Sequence, residues 1–391
     1  MIQIKPLSEI IKWVDVRNRG IVSENLLGIN IDKCFMASVA NIIGTDLSNY
    51  KLISKNQFAC NPMHVGRDEK MPVAIYCDDV PSIVSPAYFV FEVKNSDLIN
   101  PDYLMLWFRR AEFDRECWFH TDGSVRGGIT WEEIIDMTVP VPPIGEQNAI
   151  VEQYKDIERR IELKRQINDN LESQAITIFK SYFITFEHFK GPKPSRLMTK
   201  CIGDLPIEVT DFVANGSFAT LKDNVNLLDG DGYAYYVRNT DLKSNTYTKY
   251  VDESSYQFLS KSKLNGGEVI ISNVADVGSV YLCPYLDKPM TLGSNVIMLK
   301  SDKNIWSIFM YIYFKYFKGR EQIIEITTGS AQPKFNKTAF RNLVFNCPEN
   351  VILKEFNRET TTLFNLININ NEELRLLNDI ANQILCELSR R

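Results

Sequence analysis

Histidine is nearly missing from this chain. Its 391 residues include only His64, His120 and His188, far apart in sequence, so a catalytic site built on imidazole acid–base chemistry has little to work with. The patterns that handle phosphate, dinucleotides, acyl groups and zinc are missing too: no GxxxxGK[ST] loop, no GxGxxG opening a helix after a strand, no GxSxG elbow, no HExxH pair. Eight cysteines (Cys34, Cys60, Cys77, Cys117, Cys201, Cys283, Cys347 and Cys386) show no CxxC pair. That spacing argues against a zinc site and fits reduced, mostly buried thiols better than a disulfide framework.

Long apolar runs are also lacking. With no stretch of about 18 apolar residues and no basic segment followed by an apolar one at the start, membrane spanning and secretion are not expected, and a cytoplasmic chain is. A basic excess is lacking as well. The net charge of −5 speaks against a free-standing nucleic-acid binder, which normally carries cations that release counterions from phosphates. Its distribution softens the objection: Lys and Arg number 14 against 19 Asp and Glu in residues 1–140, but 18 against 16 in residues 191–350. The stretch from Phe309 to Arg341 is locally basic, through Lys315, Lys318, Arg320, Lys334, Lys337 and Arg341. "CNPMH" at Cys60–His64 comes nearest to a catalytic signature, the Asn-Pro-Pro-aromatic motif of adenine methyltransferases. It lacks the second proline and the aromatic residue that would stack on a flipped base, so a plain loop is expected.

What the chain does contain is a repeat. "LISKNQF" at Leu52–Phe58 matches "FLSKSKL" at Phe258–Leu264, and the same offset of 206 carries "YLMLWFRR" at Tyr103 onto "FMYIYFKY" at Phe309, Gly123-Ser124 onto Gly329-Ser330 and Pro142 onto Pro348. One ungapped register is therefore expected from about residue 52 onward. Each copy reads as a small α/β unit. "SPAYFVFEV" (Ser85–Val93), "GEVIIS", "SVYLC" and "GSNVIMLK" (Gly293–Lys300) alternate as strands, whereas Pro101–Cys117 and Ile305–Glu321 read as helices whose aromatics, Trp107, Phe108, Tyr313 and Phe314, belong to a core.

Each copy ends in a heptad. Ile150, Ile157, Lys164, Leu171 and Ile178 share one seam position, and Tyr154, Ile161, Asn168, Ala175 and Tyr182 the other. The second copy gives Phe356, Leu363, Asn370, Leu377 and Ile384 with Thr360, Ile367, Leu374, Ala381 and Leu388, so both seams are apolar with a polar interruption near the middle. "VPVPPIGEQNAIVEQ" (Val139–Gln153) marks the junction, because its prolines cannot lie inside a helix or a central strand. Gly191-Pro192-Lys193-Pro194 is expected to end the first helix.

A variable unit, a Pro-rich junction and a heptad helix, all repeated, resemble the specificity subunit of Type I restriction-modification enzymes, and the resemblance covers essentially the whole chain. Its sharpest motif is "PPIGEQNAI"; "GSVRGGITWEEIIDMTVPVP" fits the end of a target recognition domain. The second junction, "NCPENVILKEFN", departs from the pattern, with Ile352 and Leu353 where Glu146 and Gln147 stand in the first.

The resemblance implies two mixed α/β target recognition domains, residues 1–143 and 191–348, separated by spacer helices, 144–190 and 349–391, that form an antiparallel coiled coil with pseudo-two-fold symmetry. Each domain would read one half of a bipartite double-stranded DNA site. The 34 residues from Ile150 to Phe183 would make a helix of about 50 Å at 1.5 Å per residue, enough to hold two readers a turn of B-DNA, about 34 Å, apart. The chain itself would be non-catalytic and free of cofactor and metal. Modification subunits would bring S-adenosylmethionine, and restriction subunits ATP. Candidate base readers are Arg67, Arg126, Arg238, Asn273, Gln332 and Lys334, forked or amide side chains on loops that can enter a groove. Candidate partner contacts are Glu146, Gln147 and Ile150. The alternative from another class is a two-domain coiled-coil scaffold that binds no DNA.

Overall fold

The first proline of the junction, Pro140, lies in a two-stranded ribbon. In a computed structural model of the chain, which describes residues 2–38, 44–63, 65–121, 127–189 and 198–389, Gln3–Pro6 pairs antiparallel with Thr138–Val141, placing Ile4 opposite Pro140. A ribbon with two free edges tolerates a residue that has no amide proton. The first long helix, Ile144–Phe183, starts directly after Pro142-Pro143, earlier than the heptad alone indicates.

Contacts divide the chain into two units, Met1–Ile161 with Leu377–Arg391, and Glu162–Leu376. In the first unit an antiparallel sheet orders Ile11–Val14, Phe89–Val93, Phe58–Cys60 and Val73–Ile75. A second sheet orders Phe35–Ala37, Leu26–Ile29, Ser82–Val84 and Lys51–Ile53, with one parallel pairing between Leu26–Ile29 and Ser82–Val84. The expected helix over 101–117 is two, Pro101–Phe108 and Ala111–Phe119. Asn100 caps the first of these by accepting the Asp102 amide, with Pro101 in the first turn where its missing donor costs nothing. Phe58 stacks on Phe91 at 5.1 Å between centroids, and Trp107, Phe108 and Phe113 complete an aromatic core. Ile150, Tyr154 and Ile157 of the first long helix join that core together with Ala381, Ile384 and Leu388 of the second, Asn350–Ser389.

The second unit repeats this topology. Ile207–Asp211, Val296–Ser301, Val269–Ser272 and Val280–Leu282 form the antiparallel sheet. The mixed sheet orders Leu227–Asp229, Lys249–Val251, Ala234–Val237, Met290–Leu292 and Lys263–Leu264, again with a single parallel pairing, between Ala234–Val237 and Met290–Leu292. Helices Ser307–Tyr316 and Lys318–Glu325 follow, and Met198–Cys201 pairs with Val344–Cys347 as the ribbon. Relative to the first unit there is an extra edge strand, Leu227–Asp229, and a helix, Asn239–Ser244, where the first has only the Asn30–Cys34 turn.

Element lengths correct the repeat register. The 206 offset holds from the helical layer onward: Pro101 onto Ser307, so that "YLMLWFRR" does match "FMYIYFKY", Trp131 onto Lys337, Thr138–Val141 onto Val344–Cys347 and Ile144 onto Asn350. It fails upstream: Lys51–Ile53 corresponds by pairing to Lys263–Leu264, whereas "FLSKSKL" begins at the end of a helix, so the match to "LISKNQF" is coincidental.

The helices pair antiparallel in each unit, and the expected seam is the buried one, with one drift: near the end of the first helix Phe179, fully buried, replaces Ile178. That helix ends at Phe183, not at Gly191–Pro194, which lies outside the described residues. The Ile184 and Thr185 amides both donate to the Lys180 carbonyl, and Phe186 turns the chain with φ of 60°. Four of the eight cysteines are buried, fewer than expected, with Cys34, Cys77 and Cys386 exposed.

Candidate nucleic-acid interface

In both units two loops lie against each other at the same place in the topology. In the first, the loop after Phe58–Cys60 leads into the short helix Val65–Asp68, and the Gly66 amide donates to the Gly127 carbonyl at 3.0 Å. Ile129 donates to the Pro62 carbonyl, and a Cβ on Gly128 would stand 3.0 Å from that same oxygen, so the close approach needs glycine. "CNPMH" is a loop as expected, through Met63; His64 lies outside the described residues. Arg67 is exposed beside this contact, its guanidinium forked on Asp68 at 2.7 and 2.8 Å, which raises its pKa. Arg126 is outside the described residues.

In the second unit the loop after Val269–Ser272 pairs with the 328–335 loop. Phe335 donates to the Asn273 carbonyl and Ala275 to that of Pro333, while Thr328 and Lys334 exchange amide and carbonyl at 2.9 Å. Gln332 and Lys334 are exposed there. Asn273 donates its side-chain amide to the Phe335 carbonyl at 3.3 Å, leaving its buried Oδ1 without a protein partner among the described residues. An acceptor in that state is completed by water or a ligand.

Arg238 is held differently. Its Nε and Nη2 fork onto Asp241 at 2.8 and 2.6 Å, its backbone amide donates to the same carboxylate, and Asp241 is buried. This carboxylate raises the Arg238 pKa, and a base would compete with it for the fork. Asn239, the next residue, donates to Asp276 at 3.1 Å, and Lys243 lies 3.5 Å from the same carboxylate. The Asn239–Ser244 helix is therefore joined to the Asn273 loop.

The junction residues require a correction. Gln147 is 0% exposed; its amide donates to the Leu98 and Pro142 carbonyls at 3.0 and 2.8 Å and accepts from the Asn100 amide at 2.9 Å. Its side chain presents no surface in this chain. It is an internal joint between the long helix and the cap of the Pro101–Phe108 helix, and Ile150 is likewise buried in the core. Glu146 is exposed. At the second junction Leu353, also 0% exposed, takes the place of Gln147 and packs into its unit's core, which accounts for the missing Glu-Gln.

Two stretches, residues 45–173 and 199–380, match the family described as Type I restriction modification DNA specificity domain. The chain belongs to this family. One Type I relative, the HindI specificity subunit of Haemophilus influenzae, is 28% identical over 137 residues, covering 34% of this chain and 28% of that protein, so the match spans little more than a quarter of the relative. The crystal structure of an S subunit of a Type I restriction-modification system from M. genitalium superposes with a TM-score of 0.57 at 14% identity, over 99% of this chain and 96% of that one, a likeness of fold.

In this Type I specificity chain the described residues include no group of His, Cys, Asp and Glu able to hold a metal ion, and no helix long and apolar enough to cross a membrane. Sequence reasoning missed Lys33. Buried with φ of 62°, it donates to the Phe108 carbonyl and to Asp114 at 2.7 Å, fixing the Asn30–Cys34 turn to the helical layer of its own unit. Burial lowers its pKa and the Asp114 charge opposes that shift. A lone lysine between strands carried no signal of this partner, 81 residues away.

Proposed function

We propose that this chain is the DNA-reading, non-catalytic subunit of a Type I restriction-modification complex, each unit reading one half of a bipartite duplex site and the long helices setting the gap. The observation that carries the reading is the pair of docked loops at one place in a duplicated topology, with different side chains in each copy. The first unit offers Arg67 after the first of these loops and, by sequence, Arg126 just before Gly127, whereas the second offers Asn273, Gln332 and Lys334. A shared scaffold with unlike groove-facing chemistry suits two unrelated half-sites, since Arg favours guanine and Asn or Gln adenine. The domains would run over 1–143 and 191–348. Modification subunits carrying S-adenosylmethionine and restriction subunits carrying ATP would supply the chemistry and much of the phosphate contact that a net charge of −5 does not. Glu146 remains the candidate contact for a modification subunit.

The test is sequencing of methylated adenines in cells expressing the chain with its modification partner. One bipartite motif with two unrelated halves is expected; a palindrome would count against two different readers, and binding to duplex DNA without sequence preference or a steep salt dependence would support a scaffold instead. Arg126→Ala should relax one half-site by about 1–3 kcal/mol per lost base contact and leave the other unchanged.

A further inference from the structure

The Asn239–Ser244 helix of the second unit has no counterpart in the first, and both its ends are tied. Asn239 at its N-terminal end and Lys243 in its last turn both reach Asp276 of the candidate reading loop. Its C-terminal end closes on Asn245, in the left-handed conformation with φ of 53°. The Asn245 side-chain nitrogen donates to the backbone carbonyl of Asn371 at 2.9 Å, and its oxygen accepts from Arg375 Nη1 at 3.3 Å. Asn371 and Arg375 are one turn apart on the second long helix, so that helix grips a single amide from both sides. Arg375 also lies 5.9 Å from the centroid of the Tyr247 ring.

This grip lands on the polar layer of the helix pair. Lys164 donates to Asn370 Oδ1 at 2.9 Å and pairs with Glu373 at 2.7 Å; Asn370 donates to Asn168 at 2.8 Å, and Asn168 to the side chain of Asn371 at 2.9 Å. Beneath it lies an open cleft of about 840 Å³, with Leu242 and Tyr247 on one wall and Asn168 and Leu374 on the other. Close packing there is missing, and hydrogen bonds bridge the gap. In the first unit the corresponding turn is tied by Lys33 to Asp114 of its own helical layer.

We infer that Asn245, with Asn371 and Arg375, is a positioning device that fixes the angle of the second unit's reading loop against the long helix, and so sets the tolerated gap between half-sites. Removing it frees the helix and, through Asp276, the 273–279 loop to swing. One base-pair step is 3.4 Å along the duplex, so a swing of that size admits neighbouring gap lengths. The inference rests on the bipartite reading proposed above.

The test uses the full chain with its modification partner and maps methylated adenines genome-wide. Asn245→Gly keeps the left-handed cap, which glycine adopts freely, and deletes only the amide; Arg375→Ala removes the other half of the grip. Both variants are expected to modify sites whose gap is one base pair shorter or longer, within tenfold of the cognate site, with the first half-site read as before. Lys33→Met, which cuts the tie in the first unit, should leave the gap profile unchanged wherever the protein folds. An Asn245→Gly profile identical to wild type, or a uniform loss at every site, overturns the positioning role while the bipartite reading stands. If the unmutated complex itself shows no bipartite motif, the reading and the positioning role fall together.

Discussion

Gln147 and Leu353 occupy equivalent positions and are both fully buried, yet one closes its junction with hydrogen bonds and the other with apolar packing. Gln147→Ala leaves the Asn100 amide and two carbonyls without their partner in a dry site; it should destabilise the first unit by about 2–4 kcal/mol in denaturant titration and leave the second unit's transition unmoved. Little of this was legible from "PPIGEQNAI": only the Pro142 carbonyl lies within it, the other partners of Gln147 are 47 and 49 residues upstream, and a motif does not reveal which way its side chains point. Arg67 and Arg238, by contrast, sit one and three residues from the carboxylates that fork them, so their pairing was open to local reading. Asp252 provides a pH probe. It caps the Glu253–Phe258 helix, and hydrogen bonds from the Ser255 amide and the Ser254 hydroxyl hold its carboxyl down at about 2. Because the folded pKa is depressed, its contribution is complete above the unfolded value near 4 and lost as pH falls towards 2. The stability difference between wild type and Asp252→Ala, about 1 kcal/mol at neutral pH for a helix cap, should shrink over that window.

The seams were the most legible elements, since a heptad states its own buried face and the polar break at Lys164, Asn168 and Asn370 was visible as a break. That these residues bond one another across the pair is new from the structure. A polar layer fixes register at a cost in stability. Replacing Lys164 and Asn370 together by leucine should therefore raise the thermal midpoint, while cysteine pairs placed across the seam cross-link in more than one register; a single register with a lower midpoint would contradict this account. The globular elements were less legible. From Pro101 and Ser307 to the ends of the long helices the copies have equal lengths, and one offset sufficed. Upstream, the second copy is shorter between Lys263–Leu264 and Ser307 than the first is between Lys51–Ile53 and Pro101, and further back it adds the Leu227–Asp229 strand and the Asn239–Ser244 helix, changes that an ungapped comparison cannot see. The end of the first helix was misplaced because Gly and Pro are stronger local signals than the Lys180 carbonyl, which takes two amides well before them.

At the scale of the whole molecule, the proposed spacer role predicts that four residues inserted in each long helix, beside Asn168 and beside Asn370, lengthen the pair by roughly 6 Å at 1.5 Å per residue and the gap by about two base pairs. Methylome mapping should show the same half-sites at the wider gap. The division of the chain has a further result. The first unit is not finished when Ile161 is made, because its core also takes Ala381, Ile384 and Leu388. During synthesis at about 5–20 residues per second, roughly 215 residues of the second unit emerge in between, a delay of about 10–40 s. The seam of the nascent first helix, with Ile150 and Tyr154, stays uncovered for that time. The unit begun first is thus completed last, and a premature stop before Leu377 damages the far end of the sequence more than the residues beside the stop.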